Sequence, residues 1–401
     1  MRILFMTDKD CAPQNGGIER VVSALSNGFS REGVTCFLLF AGEPLISEKG
    51  SFEEKYQLDR NNAYSQIRSV VEQENIDVLF SHFMTKSNRS VVLPAINRIK
   101  KDSPNIKHVA LYHSQPGVEL VRIPLPVFSR RIIHGVQIKA NLITLAKQLL
   151  LRLVGKNVFK RFIARKCQIL YDSADKLVLL NEKYISVFNS LVDGRCMDKY
   201  CAIGNPLPFD GVTRVDLEKK DKVLLVVSRM EEETKKLSKV LNFWKEVEPL
   251  CMDWNLEIVG DGPDKVVYES MSRSMGLRRV SFCGKQNPRP YYERSSLFLM
   301  TSDTEGWPMA LLETMQFGCV PIVFNTFYSA SLIVDDAVDG LLIPPEDNKT
   351  YMDSMVHLMK DEARRKGMAL SAMRNCQRFS QERIVGEWMD LFNDLIRNEN
   401  A

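Results

Sequence analysis

The feature that most constrains the fold is a repeated alternation of short apolar runs and longer segments with helical spacing of apolar residues. In the first half of the chain, apolar strands are predicted at Arg2–Met6, Val34–Phe40, Asp77–Phe80, His108–Tyr112 and Asp175–Leu180. Because apolar strands separated by helices form parallel sheets that are covered on both faces, this pattern predicts a doubly wound α/β domain.

The alternation stops at residues 203–209 and starts again near Asp221. Pro206 and Pro208 cannot continue a helix or a central strand, so this stretch is predicted to be a linker. The restart predicts two Rossmann-like domains, an N-terminal one at 1–205 and a C-terminal one at 206–380. A helix at 381–401 is predicted to pack back towards the first domain. Two such domains are expected to face a central cleft, because open α/β sheets bind ligands at the carboxyl ends of their strands.

The cysteines and the apolar runs indicate a cellular compartment. The nine cysteines are scattered, and none forms a C-x-x-C motif, which is typical of reduced thiols in a reducing compartment. The apolar N-terminus is too short for a signal peptide, and no apolar run reaches the roughly 18 residues of a spanning helix. The sequence therefore predicts a cytoplasmic protein.

The clearest local motif is Thr304-Glu-Gly-Trp-Pro-Met-Ala-Leu-Leu-Glu-Thr-Met-Gln-Phe-Gly318. Pro308 suits the first turn of a helix and Gly318 suits its C-terminal cap. A helix start attracts an anion through its N–H groups and the positive end of its dipole. Glu305 precedes this helix, and Glu313 lies about six residues into it, roughly 9 Å along the axis. The two carboxylates are therefore placed to bind hydroxyls on either side of a phosphate.

Four other segments carry candidate site residues. Val227-Ser-Arg-Met-Glu-Glu-Glu-Thr-Lys-Lys236 runs from a strand into a helix, with Arg229 and either Lys235 or Lys236 as cations. In Asn15-Gly-Gly-Ile-Glu-Arg20, paired glycines would let the backbone approach a phosphate. His113 ends a strand, and His82, which ends the preceding one, is the weaker candidate. Val259-Gly-Asp-Gly-Pro263 is a strand-end turn.

Together these motifs resemble those of glycosyltransferase family 4, the retaining enzymes of the GT-B fold that include bacterial surface-polysaccharide glycosyltransferases. The resemblance covers nearly the whole chain, and Ser228 replaces the family's usual glycine before the arginine. It implies that Arg229 and Lys235 hold the donor diphosphate, that His113 touches the donor sugar, and that Glu305 completes the catalytic set. It implies that 1–205 is the acceptor-side domain and 206–380 the nucleotide-sugar-binding domain. It also implies a donor site formed by Gly16, Gly17, Gly260, Gly262, Gly306, Trp307, Pro308, Met309, Ala310 and Glu313.

The resemblance also implies a nucleotide-diphosphate sugar as donor substrate, with a UDP-sugar favoured over a GDP-sugar, and no cofactor or metal. Asp8-Lys-Asp10 has the D-x-D form that binds a divalent cation in the other glycosyltransferase fold, but no further carboxylates lie near it in the sequence. Transfer is expected to retain the anomeric configuration. The family's usual proposal is attack from the same face, with a leaving phosphate oxygen taking the acceptor's proton.

The positive charge of the chain is concentrated in one segment. Residues 120–171 contain eleven lysines and arginines and no acidic residue before Tyr171, although the net charge of the chain is only +4. Apolar helices with basic residues lie in the headgroup plane of anionic membranes, although helices that pack on the first domain's sheet are an alternative. We therefore expect a protein peripheral on the inner face of the cytoplasmic membrane, with a lipid-linked saccharide acceptor. Nucleic acid is not an expected partner, because no recognised binding motif is present.

Two other functions fit the same pattern. A nucleotide-sugar epimerase of the same fold would act on the donor without an acceptor, and a catalytically silent membrane-associated scaffold would keep only the fold. The candidate site residues favour an enzyme over a scaffold. A Rossmann dehydrogenase is excluded, because no G-x-G-x-x-G motif follows the first strand.

Overall fold

The computed structural model describes residues 1–11, 16–44, 49–82, 86–118, 156–194, 196–212 and 215–397. These residues form two compact units. Unit 1 comprises Met1–Gly117, Lys160–Pro208 and the chain from Phe379 onwards. The described residues of unit 2 lie mainly in Phe209–Arg378.

Unit 1 is built on a seven-stranded sheet in which every described pairing is parallel, with strand order β3-β2-β1-β4-β5-β6-β7. Its strands are β1 (Arg2–Thr7), β2 (Thr35–Phe40), β3 (Phe52–Gln57), β4 (Val78–Ser81), β5 (Lys107–Tyr112), β6 (Lys176–Leu179) and β7 (Tyr200–Ala202). The helices that precede the linker are α1 (Gly17–Arg31), α2 (Ala63–Gln73), α3 (Lys86–Asp102), α4 (Lys156–Ser173) and α5 (Glu182–Asn189).

Unit 2 is built on a six-stranded parallel sheet with strand order β10-β9-β8-β11-β12-β13. Its strands are β8 (Asp221–Val227), β9 (Asn255–Val259), β10 (Val280–Gly284), β11 (Ser295–Met300), β12 (Val320–Phe324) and β13 (Leu341–Ile343). Its helices are α6 (Glu232–Lys235), α7 (Leu237–Val247), α8 (Lys265–Ser274), α9 (Arg289–Arg294), α10 (Met309–Gln316), α11 (Ala330–Ile333), α12 (Asn348–Lys360) and α13 (Glu362–Asn375). The two parallel sheets confirm the predicted α/β architecture.

The strand order of each sheet reverses direction once. In unit 1 the chain adds strands outwards from β1 on one side and from β4 on the other, and in unit 2 the same reversal falls between β8 and β11. The carboxyl ends of the strands at such a reversal splay their following loops apart and leave a crevice, where open α/β sheets bind ligands. Ligand sites are therefore expected at the loops after β1 and β4 in unit 1, and at those after β8 and β11 in unit 2.

The sequence analysis missed two edge strands, β3 and β7. The residues of β3, Phe-Glu-Glu-Lys-Tyr-Gln, are mostly half-buried or exposed, because only one neighbouring strand covers this edge. β7 is three residues long. Short or polar edge strands lack the continuous apolar run by which central strands are recognised.

The last helix, α14 (Gln381–Arg397), packs against α1 in unit 1. The approach is close at Gly28, where a Cβ atom would lie 2.3 Å from the Val385 side chain. Trp388 of α14 packs against Phe80 of β4 with ring centroids 4.7 Å apart and the ring planes tilted by 53°. The C-terminal helix therefore completes the core beneath the strands that carry the histidine candidates.

Among the described helices, none is both long enough and apolar enough to cross a membrane.

Candidate functional site

Unit 2 brings the predicted cations and the first glutamate together at the reversal of its sheet. The Nζ atom of Lys235 donates to Oε1 of Glu305 at 2.5 Å. Lys236 pairs with Asp303 at 3.2 Å, and Arg229 pairs with Glu231. We call these six residues the ion-pair cluster. Each of its three cations is paired with one carboxylate.

The members of the ion-pair cluster differ in their exposure to solvent. The side chains of Lys235 and Glu305 are 22% and 13% exposed, whereas that of Arg229 is 65% exposed. Charges shielded from water interact more strongly than exposed ones. The Lys235–Glu305 pair is therefore the tightest electrostatic contact of the cluster, and Arg229 is the cation most open to an incoming anion.

A break between two helices sets the direction of the two lysines. The helix that the sequence predicts from Lys236 to Val247 is α7. It is preceded by the short α6, which ends at Lys235, and Lys236 between the two helices has the left-handed conformation, with φ 50°. The Thr301 hydroxyl donates to the carbonyl oxygens of both lysines, which fixes the break against the loop after β11. Glu232 accepts from the Ser238 backbone and hydroxyl and so caps the start of α7. Because of this break, the side chain of Lys235 pairs with Glu305 and that of Lys236 pairs with Asp303.

Gly260 and Gly262 lie where the loops after β8 and β9 cross. Ser228 and Met230 donate backbone hydrogen bonds to the carbonyl oxygens of Val259 and Asp261, at 3.0 and 2.9 Å. A Cβ atom at Gly260 would lie 1.9 Å from the Ser228 carbonyl oxygen, and one at Gly262 would lie 2.4 Å from that of Met230. Glycine is therefore required at both positions for the loop that carries Arg229 to keep its place.

The helix predicted at Pro308–Phe317 is α10. Pro308 lies at its N-cap position, and Gly318 follows its C-terminal cap with φ 67°, which agrees with the predicted roles of both residues. Trp307, Pro308 and Met309 are buried, whereas Gly306 and Ala310 are half-buried. The helix start and its preceding loop are thus firmly packed next to Glu305.

The two glutamates of the motif lie in different environments. Glu305 retains some exposure, but Glu313 is fully buried, and one of its carboxylate oxygens accepts a hydrogen bond of 2.7 Å from the Tyr292 hydroxyl. Burial of a carboxylate is costly unless hydrogen bonds compensate for the lost water. Tyr292, which the sequence analysis did not identify, is therefore part of the support of this motif.

In unit 1 the two histidine candidates are in direct contact. His82 follows β4, His113 follows the neighbouring β5, and the Nδ1 atom of His82 lies 2.9 Å from the Nε2 atom of His113. They are 1% and 9% exposed. Burial lowers the pKa of both imidazoles, that of His113 to about 4, so both rings are neutral at pH 7. The sequence analysis ranked His82 well below His113, because nothing in the sequence shows that two strand ends are adjacent.

The glycine loop of unit 1 leads into α1. Gly16 is the N-cap residue of that helix, its carbonyl oxygen accepts from Arg20, and Gly17 is the first helical residue. A Cβ atom at Gly16 would lie 2.5 Å from the carboxylate of Glu19. The helix start thus carries an acidic side chain of its own.

The two carboxylates of the D-x-D sequence have partners within unit 1. Asp8 accepts a hydrogen bond from Asn88, and the buried Asp10 pairs with Lys55 at 3.1 Å. These contacts tie the loop after β1 to α3 and β3. The absence of a bound metal stays a prediction from the family resemblance.

Most of the basic segment 120–171, including Arg130 and Arg131, lies outside the described residues. The described part is α4, which buries Ile163, Cys167 and Leu170. Its other side exposes the side chains of Val158, Lys160, Arg161, Phe162, Arg165 and Ile169. One face of α4 therefore packs in the protein, while the exposed face mixes apolar and basic side chains.

Comparison with known proteins places these features in a family. Residues 213–374 match the family model of glycosyl transferases group 1. An exopolysaccharide phosphotransferase of Streptomyces coelicolor is 28% identical over 225 residues, which cover 55% of this chain and 24% of that protein. A Campylobacter jejuni α-1,4-N-acetyl-D-galactosaminyltransferase, named for a PP-undecaprenol-linked glycan, is 24% identical over 193 residues, or 48% of this chain and 54% of that protein. The chain thus matches about half or less of the length of these two relatives.

The likeness to solved structures extends over the whole chain. The Anabaena protein HepE, solved in complex with UDP-glucose, superimposes on 98% of this chain and 100% of its own with a TM-score of 0.72 and 14% sequence identity. At that identity the likeness shows the fold alone, which is the predicted GT-B fold.

Proposed function

We propose that this chain, of which residues 213–374 match the group 1 glycosyl transferases, transfers a hexose or N-acetylhexosamine from a nucleotide-diphosphate sugar to a lipid-linked saccharide, with retention of the anomeric configuration. The observation that carries this proposal is the ion-pair cluster, which pairs Lys235 with Glu305 in the loop before α10 and carries Arg229 in the loop after β8. The product would belong to a surface polysaccharide such as a capsule, an O-antigen or an exopolysaccharide.

The ion-pair cluster suits the charge changes of such a reaction. Negative charge grows on the diphosphate as the bond to the sugar breaks, and Arg229 and Lys235 are held where cations can stabilise it. The positive end of the α10 dipole adds to that stabilisation. Glu305, once Lys235 turns to the diphosphate, is left to accept hydrogen bonds from sugar hydroxyls. Glu313, oriented by Tyr292, and the backbone around Gly260 and Gly262 are proposed to contact the nucleoside.

The leaving phosphate oxygen is proposed to take the proton of the attacking acceptor hydroxyl on the same face of the sugar. This route needs no covalent enzyme nucleophile, unlike the paired carboxylates of retaining glycosidases. In unit 1, His113 stays the predicted contact to the donor sugar. A UDP-sugar is the favoured donor, and no metal is assigned, because Arg229 and Lys235 take the place of a cation beside the diphosphate.

The acceptor is proposed to be lipid-linked because of the basic segment and because the Campylobacter relative is named for a PP-undecaprenol-linked glycan. On α4, Phe162 is 41% exposed, and Lys166 lies over its ring at 4.1 Å. Exposed apolar side chains among basic ones bind the headgroup region of anionic bilayers. We therefore place the working protein on the inner face of the cytoplasmic membrane.

The membrane proposal can be tested by sedimentation with vesicles. Replacing Lys160, Arg161 and Arg165 by glutamine should weaken binding to anionic vesicles by roughly tenfold or more, at about 1 kcal/mol per basic residue. The control replaces three exposed lysines of unit 2, Lys219, Lys222 and Lys349, in the same way. Equal binding by both triple variants would contradict a membrane-facing α4.

The activity is tested by incubating the protein with radiolabelled UDP- and GDP-sugars and bacterial lipid extracts, followed by analysis of both products. We expect label in a lipid product together with release of nucleoside diphosphate, and at least a hundredfold loss in Glu305→Ala and Arg229→Ala. Arg289→Ala, which breaks an exposed ion pair with Glu293 away from the cluster, is the matched control. Equal transfer by all the proteins would contradict the site.

The same assay separates the competing reactions. A sugar altered without any acceptor would indicate the epimerase. The Streptomyces relative is named a phosphotransferase, and transfer of a sugar phosphate would release nucleoside monophosphate instead of diphosphate. The identity of the released nucleotide therefore decides between these chemistries.

A further inference from the structure

The two histidines of unit 1 form a hydrogen-bonded pair enclosed by aromatic side chains. The His82 ring stacks on Phe5 at 5.6 Å, contacts Phe80 at 4.2 Å between ring centroids, and lies nearly parallel to His113 at 5.1 Å. The His82 backbone N–H donates to the Met6 carbonyl oxygen at 2.8 Å. These contacts fix the orientation of the His82 ring, and with it the edge that it turns to His113.

The pair can be protonated in only two ways. Each neutral imidazole carries one proton, so one ring nitrogen donates and the other accepts. The bond of 2.9 Å between Nδ1 of His82 and Nε2 of His113 needs one proton between them. Either His82 donates, or His113 donates and His82 then carries its own proton on Nε2.

The environment of the Nε2 atom of His82 distinguishes these two protonation arrangements. The Nε2 atom of His82 is buried and has no hydrogen-bond partner among the described residues. A buried N–H group without a partner is rarer in proteins than an under-used acceptor. Leaving a buried group unsatisfied costs about 1–3 kcal/mol. The arrangement in which Nε2 of His82 carries no proton, and His82 donates from Nδ1, is therefore favoured.

We infer that His82 donates from Nδ1–H to Nε2 of His113 and thereby holds His113 as the tautomer protonated at Nδ1. His82 is then a positioning residue, and His113 offers a sugar an N–H donor and no basic lone pair. The catalytic consequence rests on the proposed role of His113 at the donor sugar, whereas the tautomer does not depend on it. A histidine in this state binds a sugar oxygen but cannot remove the acceptor's proton.

The tautomers are measured directly by long-range ¹H–¹⁵N NMR correlation on the full chain labelled at its five histidines, at pH 7.5. The expected result is Nδ1–H for both His82 and His113. An Nε2–H tautomer at His113 would overturn the inference. Because no substrate is present, this outcome is independent of whether the protein transfers a sugar.

Variants of His82 test the catalytic consequence. In His82→Asn the amide N–H can occupy the place of Nδ1–H, so His113 should keep its tautomer and kcat should stay within about fivefold of the wild type. His82→Leu removes the donor, so the spectrum of His113 should become a mixture of tautomers. Its kcat should then fall to roughly the fraction of His113 that keeps the Nδ1–H tautomer in the spectrum, with little change in the KM for the nucleotide sugar, because only those molecules offer the donor to a sugar oxygen.

His108→Leu is the matched control, because it removes another buried histidine, which is bonded to Ser81 and to the Ser173 carbonyl. The His113 tautomer should be unchanged in this variant. An equal fall in kcat in the Asn and Leu variants of His82, with the His113 spectrum unchanged in both, would overturn the positioning role. Absence of transfer by the wild type, with both Nδ1–H tautomers present, would instead contradict the proposed function alone.

Discussion

Replacing Glu305 by glutamine should affect product binding and catalysis in opposite directions. Before a donor binds, Lys235 is held by the Glu305 carboxylate at 2.5 Å, and a diphosphate must compete with that carboxylate for the lysine. Glutamine keeps the shape and a carbonyl oxygen that can accept from Lys235, but it lacks the negative charge. The variant therefore leaves Lys235 in place and makes its charge available.

The size of the effect follows from the exposure of the pair. Two unit charges about 4 Å apart attract by about 1 kcal/mol in water and about 4 kcal/mol near a protein surface. With side chains 22% and 13% exposed, the pair lies between these limits. Because a diphosphate would also be repelled by Glu305, we expect a net gain of about 1–2 kcal/mol, or roughly 5–30-fold tighter binding of UDP.

The assay is titration calorimetry with UDP, paired with the transfer assay. Glu305→Gln should bind UDP more tightly while its kcat falls at least a hundredfold, since the hydroxyl contacts of the carboxylate are lost in the transition state. Glu218→Gln, which breaks the ion pair with Lys366 elsewhere in unit 2, should change neither value. Weaker or equal UDP binding by Glu305→Gln would refute the competition between carboxylate and diphosphate.

Three further predictions concern stability, each measured by urea denaturation. Gly260→Ala, whose Cβ would lie 1.9 Å from the Ser228 carbonyl oxygen, should lower the free energy of unfolding by at least about 3 kcal/mol. The control is Gly276→Ala, at a position that also has positive φ but open space around it, and it should lower the free energy of unfolding by only about 1–2 kcal/mol. Equal losses in the two variants would contradict the close approach of the loops after β8 and β9. Tyr292→Phe should cost about 1–3 kcal/mol by removing the donor to buried Glu313, whereas Tyr328→Phe, at a position 43% exposed, should change stability by less than about 0.5 kcal/mol. Burial lowers the pKa of His108 and His113 to about 4, so the unfolded chain binds more protons than the folded one below pH 6.5. Acidification from pH 6.5 to pH 5 should therefore lower stability by about 1.6 kcal/mol for each of these histidines, and His108→Asn should reduce the fall. A flat profile would contradict the burial of these histidines in neutral form.

The central strands could be predicted from sequence because they are buried on both faces. β1 and β4 are apolar runs, and the predicted bounds differ from the observed ones by at most one residue. The polar edge strand β3 gave no such signal, since its exposed face tolerates charged residues. The start of α7 was predicted to within one residue, but the short helix α6 before it was not, because four residues are too few to show an apolar period.

The candidate site shows the same division between local and distant information. The order of residues around Arg229, Lys235 and Glu305 predicted a cationic loop and a carboxylate, and in unit 2 Lys235 contacts Glu305 while Arg229 lies in the loop after β8. The pairing of Lys235 with Glu305 and of Lys236 with Asp303 required the positions of the loops after β8 and β11. The contact between His82 and His113 likewise depends on strand order, which residue spacing does not encode.

The place of α14 in unit 1 has a consequence for synthesis on the ribosome. Residues 209–378 of unit 2 are translated without interruption, but unit 1 needs Val385, Trp388 and Phe392 to fill its core against α1 and β4. Domains fold as units once their chain has emerged. Unit 2 can therefore close first, and the sheet that bears the histidine pair waits for the last helix to be translated. A chain truncated near residue 380 would then fold unit 2 with its ion-pair cluster, whereas its unit 1 would stay unfolded and would be bound by chaperones.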